Sequence, residues 1–180
     1  MNDTDKLANA RAQGQAQFDS IREMIDALDG YVAAAEDAGW QSYHDQFGVL
    51  CWRDKDGQTW AGTAQDLCEE FGIEPTDRMI DEARQRIEED ALSVQVRSGW
   101  HSPGDTEASK PEEYEILLCT GGPACRIIGE LDQYMQPCTA RLEVQDWFTP
   151  WTEMRPLVGP DDYNSEPTLL AYASVFWFGE

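Results

Sequence analysis

The spacing of apolar residues changes near Leu92, and this change constrains the fold more than any other feature. In most of the chain before Leu92 the apolar residues recur every three or four positions, which is typical of amphipathic helices. After Leu92 they alternate with polar residues, which is typical of half-buried strands. The sequence therefore predicts an α+β protein, with N-terminal helices packed on an antiparallel sheet of about four or five strands.

Residues 1–91 form the predicted, mainly helical part. The first helix is expected from about Asp5 to Ala38, with Gly39 as its left-handed stop. Its apolar stripe consists of Phe18, Ile21, Ile25, Leu28 and Val32.

Shorter elements follow in the same part. A small β-hairpin is predicted near residues 47–60, because Asp56-Gly57 is a turn signal between two short β-like runs. A short helix that begins at Thr63 should end at Gly72, and another capped by Thr76 should end at about Ala91.

Residues 92–180 form the predicted sheet part. Four runs read as strands, and their short connections imply an antiparallel meander: LSVQVRSGW, YEILLCT, ACRIIGEL and CTARLEVQDWF. The last run, TLLAYASVFWF, fits either a fifth strand or a short helix capped by Ser165. A chain of this length favours one domain, or one domain with a small appendage, and both parts are expected to form one compact domain.

The charge of the chain narrows the classes of partner. Acidic residues number 35 and basic residues 13, which gives a net charge of −22, while hydrophobic residues make up 41% and include seven Trp. Such apolar content supports a folded acidic protein and not a disordered acidic tail. Direct binding to nucleic acid is disfavoured, because that affinity comes from Lys and Arg, and an anionic membrane is disfavoured for the same reason. A basic protein is the expected partner.

Two surfaces are predicted to bind that partner. On the first helix Asp19, Glu23 and Asp26 rise by about 4.5 to 6 Å between neighbours, comparable to the spacing of phosphates along DNA. This predicted acidic face consists of Asp19, Glu23, Asp26, Asp29, Glu36 and Asp37. Tryptophan residues in predicted turns suggest a second surface, since Trp often anchors interfaces. This predicted aromatic patch consists of Trp100, Trp147 and Trp151.

Candidate catalytic residues are few. The two histidines are His44 and His101, and His101 could act as a base for Cys119 or Cys125 if the fold brought them together. The Gly-rich segment Thr120–Pro123 lacks the Lys of a phosphate loop, and the segment from Asp54 to Gly57 lacks the spacing of a calcium loop. No catalytic residue, metal site or cofactor is therefore predicted.

The five cysteines are odd in number and lack CxxC spacing, so they are read as small buried hydrophobes without a disulfide framework or zinc site. The chain has no run of 18 apolar residues, and its N-terminal residues are polar, without the apolar region of a secretory signal. A cytoplasmic protein is the expectation.

Three segments carry a resemblance: KLANARAQGQAQFDSIREMIDAL, PEEYEILLCTGGPACRIIGELD and ARLEVQDWFTPWTE. They resemble uncharacterised small acidic proteins of bacterial phages, plasmids and integrative elements. The resemblance covers about residues 1–28 and 90–180, and carries no residue roles. Because such elements encode anti-CRISPR and antirestriction proteins, several of them acidic DNA mimics, the resemblance implies an inhibitor of a host defence complex.

Three functional hypotheses follow. The first is a non-enzymatic inhibitor, an anti-CRISPR protein or similar DNA mimic, that blocks the nucleic-acid-binding groove of a CRISPR effector or restriction enzyme. The second is a small enzyme that modifies a defence component or its signal, with His101 and a cysteine as the reacting groups. The third is an acidic adaptor for a basic plasmid or nucleoid protein. The sequence leaves the oligomeric state open.

Overall fold

The computed structural model describes residues 7–100, 102–104, 110–159 and 162–179. These residues form two compact units. Unit 1 combines residues 7–25 with the described residues from Ile87 onward, and unit 2 spans Asp26–Arg86. Unit 2 is thus an insertion in the sequence of unit 1. The predicted boundary between residues 91 and 92 falls inside unit 1, and the expectation of one compact domain stays a prediction.

The described residues contain five helices and eight strands, which confirms the predicted α+β class. The helices are α1 (Ala8–Asp26), α2 (Tyr31–Asp37), α3 (Ala64–Phe71), α4 (Asp77–Asp90) and α5 (Glu166–Ala173). The strands of unit 2 are β1 (Gln41–His44), β2 (Leu50–Arg53) and β3 (Thr59–Ala61). The strands of unit 1 are β4 (Ser93–Arg97), β5 (Glu113–Cys119), β6 (Ala124–Glu130), β7 (Arg141–Gln145) and β8 (Thr152–Met154).

The prediction of a single helix from about Asp5 to Ala38 is wrong, because two helices, α1 and α2, are separated by a turn that includes Gly30. Gly30 adopts the left-handed conformation with a φ of 81°, which glycine accepts at little cost. A Cβ at this position would lie 3.0 Å from the Cβ of Pro75. Residue 5, the predicted start, lies outside the described residues. Gly39 ends α2 as predicted, with a φ of 94°.

The sheet of unit 1 is an antiparallel meander in the order β4-β5-β6-β7-β8. Its first four strands match the four runs that alternation predicts to within one residue at their starts or lie inside them, and the fifth is the short strand β8. Successive side chains of a strand point to opposite faces of the sheet, and those on the inner face form a buried core. The buried residues on that face of β5, β6 and β7 are Tyr114, Ile116, Leu118, Cys125, Ile127, Leu142 and Val144.

Two helices cover this face. Gly14 of α1 allows close approach to the sheet, since a Cβ there would lie 2.6 Å from both Val144 Cγ1 and Met154 Sδ. Helix α5 settles the alternative that the sequence leaves open for the last run: the run is helical as far as Ala173 and is not a strand. Ser165 precedes this helix as predicted, but its side chain makes no capping hydrogen bond. The Tyr172 hydroxyl of α5 donates a hydrogen bond of 2.7 Å to Asp90.

Unit 2 packs α2 and α3 with a three-stranded antiparallel sheet in the order β1-β2-β3. The Asp56-Gly57 turn joins β2 to β3, whereas β1 lies outside the predicted hairpin. Helix α3 begins with a capping box between Thr63 and Asp66. It ends at left-handed Gly72, where Ile73 N–H donates to Cys68 O at 2.8 Å, the stop that the sequence predicts.

Among the helices described above, none combines the length and the apolar character needed to cross a membrane.

Candidate protein-binding surfaces

The structure places the predicted acidic face in two separate sets. Asp19 and Glu23 belong to unit 1, and the other four residues belong to unit 2. Asp19 is half-buried, accepts a hydrogen bond from Gln15, and has an oxygen 3.6 Å from a guanidinium nitrogen of Arg22. Asp19 is therefore partly neutralised, whereas Glu23 and Asp26 are exposed.

The remaining members of that predicted face lie around α2. Asp29 accepts a hydrogen bond of 3.0 Å from Tyr31 N–H, so it takes part in the turn before α2. Glu36 and Asp37 are exposed in the last turn of α2. Their position at a helix end is shared by acidic residues elsewhere in the molecule.

Four of the five described helices carry acidic residues in their last turn. No basic residue lies in the last turn of any of these five helices. We refer to these positions as the acidic helix ends: Glu23 and Asp26 of α1, Glu36 and Asp37 of α2, Glu69 and Glu70 of α3, and Glu88, Glu89 and Asp90 of α4. All nine except Asp90 are exposed.

The acidic helix ends cost stability. The last turn of a helix carries the partial negative charge of its free carbonyl groups, so each exposed acid there is unfavourable by about 0.3–1 kcal/mol. Carboxylates and carbonyl dipoles together create a locally strong negative potential. A surface charge needed only for solubility could lie anywhere on a helix, including the first turn, where the dipole would favour it.

The ends of α2 and α3 lie in the same region of unit 2. Trp40 follows α2 by three residues, and its ring centroid is 4.9 Å from that of Phe71, the last residue of α3. Trp60 packs edge-on against Phe71 at 5.9 Å. Acidic residues thus border an aromatic cluster of which Phe71 is the exposed member.

Several of the basic residues are neutralised on the outer face of the five-stranded sheet. Arg126 bonds to Glu115 on one neighbouring strand and to Glu143 on the other, the latter at 2.7 Å. The same face carries the ion pairs Arg97–Glu113, Arg141–Glu143 and Arg155–Glu153. Arg97, Arg126 and Arg141 line a shallow groove of about 210 Å³, together with Glu113 and Glu115. Because the arginines already have partners, they offset little of the negative charge elsewhere.

The predicted aromatic patch does not form as one surface. In an antiparallel meander, the β4–β5 and β7–β8 connections lie at opposite ends of the sheet. Trp100 is in the first connection and fully exposed, and Trp147 is in the second. The ring centroid of Trp151 lies 4.2 Å from the guanidinium carbon of Arg126. Trp151 is half-buried and therefore packs on the sheet face.

The candidate catalytic residues gain no support from the geometry. Burial raises the pKa of the Cys119 and Cys125 thiols, which lowers the fraction of reactive thiolate. His44 is exposed on β1, and His101 lies outside the described residues. Thr120–Pro123 forms the turn between β5 and β6, with Gly121 at a φ of 104°. Within the described ranges, no group of three or more His, Cys, Asp or Glu side chains is arranged to hold a metal ion.

Comparison with known proteins gives no relative: no protein-family model, curated protein or solved structure matches this chain.

Sequence reasoning missed the acidic helix ends, although the signal was present. The segments Glu36-Asp37-Ala38-Gly39 and Glu69-Glu70-Phe71-Gly72 each place two acids just before a glycine that stops a helix. Reading helix stops together with the charges before them would have found both.

Proposed function

We propose that this protein is a non-enzymatic inhibitor of a bacterial defence complex, of the anti-CRISPR type, that acts as an acidic DNA mimic. It binds a basic nucleic-acid-binding groove of a CRISPR effector or restriction enzyme and excludes DNA. The observation that carries the proposal is the placement of exposed acids at four helix ends, where they oppose the helix dipole. Residues kept at a cost to stability point to a role in binding.

The physical basis is competition for the same basic side chains. A groove that binds DNA presents Lys and Arg to the phosphates, and carboxylates on a rigid fold can occupy it. Helix ends fix the direction of their carboxylates better than a flexible tail does. Long-range attraction between a −22 chain and a basic groove also accelerates association.

Two further observations support the proposal. Arginines of the outer sheet face are held in ion pairs with glutamates, so they leave the rest of the surface strongly acidic. The resemblance of residues 1–28 and 90–180 to acidic proteins of mobile elements fits an inhibitor of host defence. In this proposal the protein acts in the cytoplasm of the host bacterium and needs no cofactor.

The test is inhibition of DNA binding by purified effectors. CRISPR effectors and restriction enzymes, each with labelled target DNA, are titrated with the chain, and bound DNA is measured by gel shift. We expect one effector to lose its DNA at saturating inhibitor. Undiminished DNA binding by every effector would contradict the proposal.

Two charge-matched double variants then locate the surface. Glu36→Lys with Asp37→Lys reverses one acidic helix end, and Asp81→Lys with Glu130→Lys makes the same charge change at exposed acids outside the last turns of the helices. The first should slow association with the effector severalfold, most at low salt. The control should change it less. Equal effects would mean that net charge alone, and not the helix ends, drives binding.

A further inference from the structure

The connection between β7 and β8 presents two aromatic side chains to solvent. Phe148 is fully exposed, and Trp147 is two-thirds exposed, with 66% of its surface accessible. Their ring centroids are 6.3 Å apart. We refer to this pair as the Trp147–Phe148 tip. Contiguous apolar surface that is exposed to solvent often marks an interaction site.

Hydrogen bonds hold the backbone of the tip in one conformation. Thr149 N–H donates to Asp146 O at 3.0 Å, closing a four-residue turn, and Trp147 N–H donates to Asp146 Oδ1 at 2.7 Å. The Thr149 hydroxyl donates to Asp146 O at 2.8 Å, and Gln145 Nε2 donates to Thr149 O at 2.8 Å. The tip is therefore a rigid feature of the sheet end.

Phe148 occupies a backbone conformation that suits glycine. Its φ is 63°, at the third position of the turn, where glycine or asparagine is usual. The left-handed positions of the described residues are otherwise glycines, except Met135 with a φ of 62°. Met135 is half-buried, and its Cε would lie 3.3 Å from a Cβ built on Gly179, so its side chain has a packing role. The exposed Phe148 ring has no comparable burial to offset the backbone cost.

We propose that the Trp147–Phe148 tip is the anchor of the inhibitor's interface, and that it inserts into an apolar pocket framed by Lys and Arg on the partner protein. This inference rests on the proposed function and names the contact that supplies tight binding. Rigid aromatic side chains that fill a pocket carry much of the energy of protein interfaces, and Trp is enriched among them. Holding the tip in its bound conformation lowers the entropy lost on binding.

Charge around the tip favours a basic rim on the partner. Leu92 N–H donates to Leu117 O at 2.8 Å, which brings the end of α4 to the same end of the sheet as the β7–β8 connection. The exposed acids Glu88 and Glu89 of that helix end therefore lie at this end, together with Asp146 of the tip itself. An apolar pocket bordered by basic residues matches this arrangement.

The test compares Phe148→Gly with the unaltered chain on the effector whose DNA it displaces. Because glycine fits the backbone, we expect the variant to melt at the same temperature or higher. The complex should dissociate about 30-fold faster, with little change in association rate or salt dependence. Charge reversals at the acidic helix ends should do the opposite, slowing association, so the two kinds of contact separate in the kinetics.

Controls keep the result interpretable. Tyr134→Ala removes an exposed aromatic from the opposite end of the sheet and should leave dissociation within about twofold of the unaltered chain. Met135→Gly relieves the same backbone conformation but removes a packed side chain, so its melting temperature should fall. If Phe148→Gly folds poorly, Phe148→Asn replaces it, since asparagine tolerates a positive φ.

Three results would overturn the inference. The first is Phe148→Gly dissociating at the unaltered rate while the unaltered chain still displaces DNA, which leaves the proposed function intact. The second is flotation of the unaltered chain, but not the variant, with phosphatidylcholine vesicles, which would make the tip a membrane contact. The third is failure of the unaltered chain to displace DNA from any effector, which removes the proposed function and the anchor together.

Discussion

Arg126 and Glu143 form the central ion pair of the outer sheet face, with Arg126 Nε and Nη2 donating to the same carboxylate oxygen at 3.0 and 2.7 Å. The side chain of Glu143 is 12% exposed, and Trp151 covers the guanidinium. Glu115 accepts a further bond from Arg126. One arginine therefore holds two carboxylates on neighbouring strands.

We predict that Arg126→Ala destabilises the fold by about 2 kcal/mol, because it leaves Glu115 and the nearly buried Glu143 without their shared cation. Arg126→Lys should recover only part of this, since lysine lacks the planar fork that reaches both carboxylates and stacks on Trp151. Urea unfolding followed by tryptophan fluorescence measures both. Combining Arg126→Leu with Glu143→Leu should restore only part of the loss, because Glu115 still lacks its cation. An unchanged urea midpoint for Arg126→Ala would contradict this prediction.

At Gly14 of α1, helix propensity and packing have opposite effects on the stability of an alanine variant. Alanine at an exposed helix position stabilises by about 1 kcal/mol relative to glycine. At Gly14 the added Cβ would lie 2.6 Å from Val144 and Met154, so overpacking of about 1–3 kcal/mol should win. Gly14→Ala is expected to lower the melting temperature. The control Ala16→Gly, at an exposed position on the same helix, reports the propensity term alone.

The acidic helix ends predict a stability gain on charge reversal. Asp37→Lys in the last turn of α2 should stabilise the protein by about 0.3–1 kcal/mol, because a cation suits that end of the helix dipole. Asp77→Lys is the matched control, since it makes the same change at an exposed acid in the first turn of α4. The control should destabilise by a similar amount. Thermal unfolding that moves both variants in the same direction would show that net charge dominates over the dipole.

Because the Tyr172 hydroxyl is buried, we predict that the protein loses stability at alkaline pH. Burial, followed by its hydrogen bond to Asp90, raises the pKa of Tyr172 far above its ordinary value of 10.0. Above pH 10 the unfolded chain therefore releases this proton while the folded chain keeps it. The stabilisation present below that pH should then fall by about 1.4 kcal/mol for each further pH unit.

The measurement is the difference in unfolding free energy between the unaltered chain and Tyr172→Phe. At neutral pH the variant should be less stable, because it loses the bond to Asp90. The difference should shrink as the pH rises above 10, because deprotonation of Tyr172 then stabilises the unfolded state of the unaltered chain but not that of the variant. A difference that stays constant across this range would contradict the raised pKa.

The helices and strands followed from patterns that act over short distances. Alternation located β4 to β7, and local rules located the start of α3 near Thr63 and its stop at Gly72. The sequence did not predict the break between α1 and α2, because the apolar stripe continues through Leu28 and Val32. The break lies at left-handed Gly30, where the backbone passes close to Pro75. That contact depends on tertiary packing, which no local pattern records.

The candidate surfaces were less predictable than the fold. The sequence supplied the acids, but the partner of Asp19 is Arg22, and the opposite ends of the sheet separate Trp100 from Trp147. The sequence predicts Trp151 as an interface residue, whereas in the structure its ring stacks on the Arg126 guanidinium at the sheet face. The left-handed Phe148 could not be inferred at all, because a phenylalanine gives no local signal for a positive φ.

If the acidic helix ends and DNA compete for one basic groove, the two ligands cannot occupy the effector together. A competition titration tests this on the effector that co-purifies with the chain, with the chain and the target DNA carrying different fluorescent labels. We expect the apparent dissociation constant of the chain to rise in proportion to the DNA concentration, with no particle carrying both labels. A stable complex that holds both the protein and the DNA would show instead that they bind at separate sites.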